Sequence, residues 1–387
     1  MQEERIRKYA DVFSGYAFQA NELNEEIEDG IPVLKIGNIQ NKLIIKDVES
    51  YYSGRITDKI KKYKLQKNDF LVAMTGAGSV GKAGKMIPFE EGYLVNQRVA
   101  IVRPYDNVDA DFLYYFFCQS HVEDYLYSLG IGAGQPNISS NDILNMKVKF
   151  PDIDKQKRIS SILMNYDRLI ENENRLLSIL EKLLMEIFNE YFIRERNSIN
   201  IINSGKLEDI AIDVGKTVNK KQRENCNHYV PIDCIDREKM VVLREASIEE
   251  AESSLVSFKK GDILFGAMRP YFHKVSLSPF DGLTRSTCIV INSKEEKYYY
   301  YLYCLLFKKE SVNYASNISV GSTMPYVKWT DFKKMNIAIP NDDILIDFNK
   351  KVAPIVKRII NSYQITNNMK NQKDMVMKAI FSKKIEI

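Results

Sequence analysis

Histidine, tryptophan and cysteine are scarce in this 387-residue chain, with three, one and five copies respectively. Three histidines (His121, His228 and His273) argue against catalytic machinery built on imidazole. The cysteines Cys118, Cys226, Cys234, Cys288 and Cys304 are odd in number and form no C-x-x-C pair, which excludes a disulfide framework. Cys226, His228 and Cys234 lack a fourth zinc ligand at a standard spacing, so the cysteines read as free thiols of a reducing, cytoplasmic protein. No apolar run approaches the roughly 18 residues of a membrane span. The charged opening Met1-Gln-Glu-Glu-Arg-Ile-Arg-Lys8 leads into no apolar stretch, so no signal peptide is expected. No Pro-Pro pair occurs, which removes the N/D-P-P-aromatic loop of an amino-methyltransferase. Net charge is nearly absent as well: 55 basic against 51 acidic residues leave +4, which by itself does not mark a nucleic-acid binder.

What is present is an ordinary globular composition, 45% apolar and 27% charged, in a chain long enough for two or three domains at about 150 residues each. The chain also repeats itself. Pro136-Asn-Ile-Ser-Ser-Asn-Asp142-Ile-Leu-Asn-Met146 returns 189 residues later as Pro325-Tyr-Val-Lys-Trp-Thr-Asp331-Phe-Lys-Lys-Met335. Leu65-Gln-Lys-Asn-Asp69-Phe-Leu71 returns at 193 as Phe258-Lys-Lys-Gly-Asp262-Ile-Leu264, and Pro32-Val-Leu-Lys-Ile36 at 199 as Pro231-Ile-Asp-Cys-Ile235. Ordered matches with drifting offsets describe a tandem duplication with loop insertions.

Each half begins with short β-branched and aromatic runs broken by Gly, Pro, Asn and Asp, which read as strands and turns. A Tyr/Phe-rich helix follows, Asp111-Phe-Leu-Tyr-Tyr-Phe-Phe117 in one half and Tyr298-Tyr-Tyr-Tyr-Leu-Tyr303 in the other. Each half then ends in a long helical pattern. In the first, Ile159, Ile162/Leu163, Tyr166, Leu169/Ile170, Leu176/Leu177, Leu180, Leu183/Leu184, Ile187/Phe188 and Tyr191 form a heptad-like seam, and residues 154–191 as one helix would span about 57 Å at 1.5 Å per residue. The second runs from Leu345 to Ile380, with Pro354 marking a kink in its first turns. The expected fold is α+β: two duplicated mixed α/β domains with β-rich cores, joined by two long antiparallel coiled-coil helices. The boundaries are 1–152, 153–196 for the central helix, 197–341, and 342–387 for the C-terminal helix.

Motifs that suggest catalysis fail on inspection. Gly76-Ala-Gly78-Ser-Val-Gly81-Lys82 imitates both a P-loop and a dinucleotide fingerprint. Ala83 stands where a P-loop needs Ser or Thr, and Gly84 and Pro88 break the helix that either motif needs. A glycine-rich β-turn is expected instead. Asp331-Phe-Lys333 resembles half of a nuclease D-x-K pair, but the duplicate Asp142-Ile-Leu144 has no lysine. No catalytic residue and no metal site is assigned. Binding is better supported: Arg55, Lys59, Lys61, Lys62, Lys64 and Lys67 fall beside Tyr51, Tyr52 and Tyr63, and Lys216, Lys220, Lys221 and Arg223 occupy the matching early part of the second half. Basic residues interleaved with aromatics suit phosphate contacts, although a solvated charged face has the same composition. Arg269, His273 and Arg285 surround the second Gly-Asp-Ile-Leu strand and could reach base edges.

The order Gly30-Ile-Pro-Val-Leu-Lys-Ile-Gly-Asn-Ile39, Asn68-Asp69-Phe-Leu-Val, Thr75-Gly76…Gly81-Lys82, Gly132-Ala-Gly-Gln-Pro-Asn-Ile138 and Gln156-Lys-Arg-Ile159 resembles one target-recognition domain of a type I restriction–modification specificity subunit. Leu180-Glu-Lys-Leu-Leu-Met-Glu-Ile-Phe188 is similar to that family's central helix, and Gly321-Ser-Thr-Met-Pro325 repeats the pattern, with Leu345 where Gln156 would align. The resemblance implies a non-catalytic subunit that reads a bipartite, asymmetric double-stranded DNA site, one half-site per domain, with the helices setting the spacer. It implies docking of two adenine-N6 methyltransferase subunits and, through them, of translocating nuclease subunits. S-adenosylmethionine would then belong to the methyltransferase, with no cofactor in this chain. DNA contacts are accordingly assigned to Lys35 and Asn38, to Thr75, Ser79 and Lys82 of the glycine turn, to Gln135 and Asn137, and to Ser322 and Thr323. Leu180, Leu184, Phe188, Tyr191 and Phe192 are assigned to the partner. The rival expectation is a self-contained restriction or methyltransferase enzyme.

Overall fold

A computed structural model describes residues 3–25, 30–132, 134–193, 201–219, 223, 226–252 and 254–382. The chain divides into two compact units, residues 1–169 with 370–387, and residues 170–369.

Both units are built on a four-stranded antiparallel sheet of the same order. In the first unit it comprises β1 (Ala10–Ser14), β2 (Phe70–Ala73), β3 (Ala83–Gly84) and β4 (Val99–Pro104), arranged β1-β4-β2-β3. In the second it comprises β5 (Ala211–Asp213), β6 (Ile263–Gly266), β7 (Val275–Leu277) and β8 (Cys288–Ser293), arranged β5-β8-β6-β7. The register repeats too, Phe70 facing Val102 and Ile263 facing Ile291. The repeated aspartates explain why. Asp69 accepts the Gln66 backbone N–H at 2.9 Å and Asp262 that of Lys259 at 2.7 Å, so each locks the turn that enters the central strand. The remaining carboxylate oxygens take the residue opposite on the neighbouring strand, Arg103 in one unit and Asn292 in the other. Burial raises the Asp69 carboxyl above its usual range, an effect that the Arg103 guanidinium opposes.

The aromatic helices are α1 (Ala110–Phe117) and α2 (Ser120–Leu129) in the first unit, then α4 (Tyr299–Phe307) and α5 (Lys309–Asn317) in the second. Asp109 caps α1 by accepting the Phe112 N–H. Most rings of α1 and α4 are core, and the buried hydroxyls named next are satisfied. Tyr114 donates to the Lys42 carbonyl, Tyr115 to Asp167, Tyr299 to the Gly261 carbonyl at 2.7 Å and Tyr301 to the Ala338 carbonyl at 2.6 Å. Tyrosine rather than phenylalanine therefore fills these sites because a buried polar partner waits at the tip of the ring.

The long helices are α3 (Ile153–Phe192) and α6 (Asp342–Phe381), with Pro354 inside α6 rather than in its first turn. They run antiparallel within each unit. In the first unit Ile159 and Leu163 share a core with Met377 and Ile380, and in the second Leu177 and Leu184 share one with Val352, Val356 and Ile359. Charges interrupt both seams. Asp167 pairs with Lys373 in the first unit, and Glu173 takes a bidentate Arg358 at 2.6 and 2.7 Å in the second. Arg358 holds the Glu173 carboxyl below its usual range. Gln156 earns its place at the start of α3: it donates to the Pro151 carbonyl and accepts the Asp109 N–H at 2.9 Å. In the second unit Leu345 is fully buried, so packing replaces the hydrogen bonds there. No helix among the described residues is long and apolar enough to cross a membrane.

Candidate nucleic-acid interface

In each unit, three turns at one end of the central strand are fastened to one another by main-chain hydrogen bonds. In the first unit β2 runs into the glycine turn 75–82, where Gly76, Gly78 and Gly81 have φ of +107°, +73° and +85°. Those positive angles favour glycine, and a Cβ on Gly81 would also lie 2.8 Å from the Glu123 carbonyl. After Lys82 the chain enters strand β3 and not a helix, so no phosphate-cradling helix N-terminus exists there. The second turn, 130–137, is bound to the first: Gly76 N–H donates to the Pro136 carbonyl at 3.1 Å and Ile138 N–H to the Met74 carbonyl at 2.9 Å. The third is Asn96-Gln97-Arg98, whose Arg98 carbonyl accepts the Met74 N–H at 3.1 Å.

The second unit reproduces this arrangement with different side chains. Arg269 N–H donates to the Pro325 carbonyl at 2.7 Å, Val327 N–H to the Ala267 carbonyl at 3.0 Å, and Ala267 N–H to the Thr287 carbonyl at 2.8 Å. Tyr326 further ties the third turn to the second through its hydroxyl, which donates to the Ser286 carbonyl at 2.9 Å. Arg285 is exposed beside that serine.

The turns gather many of the expected residues. Gln135, Asn137 and Lys82 are exposed and Thr75 and Ser79 half-exposed in the first unit; Ser322 and Thr323 are exposed in the second. Arg269 is half-buried in a left-handed conformation, and its guanidinium reaches the Thr323 carbonyl at 3.3 Å. Gln97 and Arg98, both exposed, join them, and the sequence reading missed both. Only the duplicate spacing of the third turn, Ser286-Thr287 ahead of β8, could have pointed to them.

The basic segment lies on an adjoining piece of chain. Arg55, Lys59, Lys61 and Lys67 are exposed around a short helix, Asp58–Lys61. Lys61 pairs with Asp58 at 2.8 Å, Lys62 lies 4.8 Å from the Phe13 ring centroid, and Lys64 is half-buried. Val95 N–H donates to the Tyr63 carbonyl at 3.2 Å, so this segment flanks the strand that feeds the Asn96–Arg98 turn. Lys216 is exposed; Lys220 and Lys221 lie outside the described residues. Lys35 is half-buried with its ammonium on Ser50.

Several assignments are corrected by burial. Asn38 donates to the Ile45 and Asp47 carbonyls and accepts the Lys35 N–H, so both ends of its amide hold its own loop. Arg223 donates to the carbonyls of Ile248 and Glu249, both at 3.0 Å. His273 is buried against Phe307, with Nε2 2.7 Å from that residue's carbonyl, and burial lowers its pKa below the usual imidazole value. Asn38 and His273 are thus buried within their own unit, whereas Arg223 is half-buried and engages one guanidinium nitrogen with its carbonyl acceptors. Leu184, Phe188 and Phe192 belong to the second unit's own core, where Phe188 packs on Phe192, Tyr301 and Phe348. Leu180 and Tyr191 are partly buried against it. The outward face of α3 carries a different set: Ile162, Leu169, Leu176 and Leu183, seven apart, with Ile179 62% exposed. The cysteine-histidine cluster is dispersed, His228 stacking on Phe280 with Nδ1 2.7 Å from Glu245. No group of three or more His, Cys, Asp or Glu side chains positioned for a metal occurs among the described residues.

Comparison with known proteins agrees with this duplicated plan. The chain is 27% identical over 321 residues to the type I restriction enzyme MjaIX specificity subunit of Methanocaldococcus jannaschii, a match covering 74% of this chain and 72% of that protein. It is 27% identical over 188 residues to the MjaVIII specificity subunit of the same organism, covering 48% and 44%. The fold matches the crystal structure of a type I restriction–modification S subunit from M. genitalium at a TM-score of 0.57 with 16% identity, over 97% of this chain and 95% of that one. The model of the type I restriction modification DNA specificity domain matches twice, at residues 2–182 and 202–373, and the chain therefore belongs to that family.

Proposed function

We propose that this chain is the sequence-reading, non-catalytic subunit of a type I restriction–modification complex, each unit contacting one half of a bipartite duplex site through its three turns. The convergence of the same three turns in both units carries this reading. The main-chain bonds that fasten them correspond and their exposed side chains differ, which is what two readers of different half-sites require. Gln135 and Asn137 offer paired amide donors and acceptors suited to adenine, and Arg98 and Arg285 suit guanine. The exposed cations Arg55, Lys59 and Lys67 supply contacts to phosphate. Replacing those three together with alanine is expected to flatten the slope of log affinity against log salt by roughly 0.9 per lost contact while leaving sequence preference in place. Filter binding of selected and scrambled duplexes across a salt series measures this. An unchanged slope places the phosphates elsewhere.

The partner is a methyltransferase that supplies S-adenosylmethionine and the methyl-transfer chemistry, with nuclease subunits joining through it. With Leu184, Phe188 and Phe192 buried, the docking face is the outward seam of α3, a heptad stripe suited to another helix. Leu176→Lys with Leu183→Lys is expected to abolish co-purification with the methyltransferase and to shift stability by less than about 0.5 kcal/mol, because both side chains already face water. Retained co-purification with a monodisperse complex would assign the contact to another surface.

A further inference from the structure

Ile131 and Val320 occupy equivalent positions in the two units, 189 residues apart, one before the glycine of the second turn. They are the two most solvent-exposed large hydrophobic residues described, at 65% and 77%. The aligned turns, Gly130-Ile-Gly132 through Ile138 and Ser319-Val-Gly321 through Val327, differ at most other positions, and the shared prolines and the closing Ile138/Val327 have a reason within the fold in both units. Ile138 and Val327 are buried, Pro136 and Pro325 supply the carbonyls that fasten the turns, and Gly321 has φ +116°. The β-branched aliphatic is kept in both halves although it is largely exposed in each.

Its setting favours approach to another surface. Val320 exchanges two main-chain hydrogen bonds with Tyr326, both 3.0 Å, so its side chain projects from a pinned base; in the first unit the turn closes one residue earlier, the Gly130 carbonyl beside Ile131 accepting the Asn137 N–H at 3.1 Å. A β-branched residue adds a stiff χ1. A Cβ on Gly132 would meet nothing within 4 Å, so that glycine leaves the flank of Ile131 bare without serving the turn's own packing.

We propose that Ile131 and Val320 are apolar wedges, each pressing onto the face of a base at one step of its half-site and opening the stack there. The proposal rests on the DNA reading of the three-turn face. Grooves offer apolar contact at thymine methyl groups, which depend on sequence, whereas base faces are present at every step. A residue kept in two readers of different sequence fits the second kind of contact and not the first. The wedge therefore contributes affinity and a local distortion common to both half-sites, while the surrounding polar side chains supply the discrimination.

The test uses the full chain alone, so that no partner unstacks bases, with a duplex enriched from a random library and 2-aminopurine placed at successive positions. Binding of the wild type is expected to raise fluorescence at one step in each half-site. Ile131→Thr should abolish the rise in one half-site only and weaken binding roughly tenfold, and Val320→Thr should do the same in the other, with the preferred sequence unchanged. Threonine keeps the β-branch at both positions, with the volume of Val320 and one methyl group less than Ile131, and both positions are exposed, so both variants fold. A wild-type complex with no fluorescence rise, or rises that survive both substitutions, overturns the wedge. Gln135→Ala separates this from the underlying reading. If it changes sequence preference while Ile131→Thr is silent, the wedge alone is wrong. If Gln135→Ala and Arg269→Ala are silent as well, the three-turn face does not touch DNA and both ideas fall.

Discussion

Replacing residues 1–152 with the corresponding part of another specificity subunit is expected to change one half-site completely and leave the other as it was. All three turns of the first unit lie within that stretch and are held by bonds to one another, such as Gly76 to Pro136 and Met74 to Arg98. Specific protein–DNA complexes exceed non-specific ones by about 10³-fold or more, so the original half-site should lose at least that discrimination. The exchange must carry a compatible underside, because Gln156 of α3 bonds the Asp109 N–H and Phe381 stacks on Phe112 at 5.6 Å. Sequence selection with the parent and the hybrid reads the outcome directly. Should both half-sites change, the two units do not read independently.

The second large effect concerns stability. Asp167→Ala is expected to cost about 3–5 kcal/mol, because it strands the Lys373 ammonium among apolar neighbours and removes the acceptor of the buried Tyr115 hydroxyl. The Asp167 and Lys373 side chains are only 8% and 10% exposed. Asp167→Leu combined with Lys373→Met should recover much of that loss, since the pair's desolvation cost vanishes with both charges. The Glu173–Arg358 pair makes a useful contrast. Arg358 remains 32% exposed, so Glu173→Leu should cost clearly less. Because Arg358 lowers the Glu173 pKa, that pair's contribution is present above the unfolded carboxyl value near 4.3 and is lost as pH falls through the lower folded value. Denaturant titrations of the full chain at pH 7 and pH 4 measure both. A cost under about 1 kcal/mol for Asp167→Ala would show that Lys373 escapes to water.

Much of the architecture was legible because duplication supplies its own alignment. Asp69 and Asp262, Pro136 and Pro325, and the two aromatic helices could be matched without any other sequence, and the breakers Gly84 and Pro88 were enough to deny a helix after Lys82. Periodicity stopped short at doublets. Leu176/Leu177 and Leu183/Leu184 fit a seam equally well either way, and only the partner helix decides that Leu177 and Leu184 turn inward while Leu176 and Leu183 face water. Polar residues defeated the reading for a related reason. Asn38, Arg223 and His273 carry the chemistry of a DNA contact, but their partners are main-chain carbonyls supplied by the fold, which no side-chain pattern reveals. Glu173 and Glu181 of α3 are buried for the same reason, Glu181 accepting the Met240 N–H at 2.8 Å.

The turns of both units are fastened chiefly through backbone amides and carbonyls. A side chain there can therefore be exchanged without undoing the fastening, since almost any residue other than proline brings the same donor and acceptor. Mutation at Gln97, Gln135, Asn137, Ser322 or Thr323 thus carries little risk to folding, and a lineage under pressure from phage that have lost a site can drift to a new one by single substitutions. If the three turns read DNA as proposed, that face is evolvable because what is read and what holds it in place are carried by different atoms.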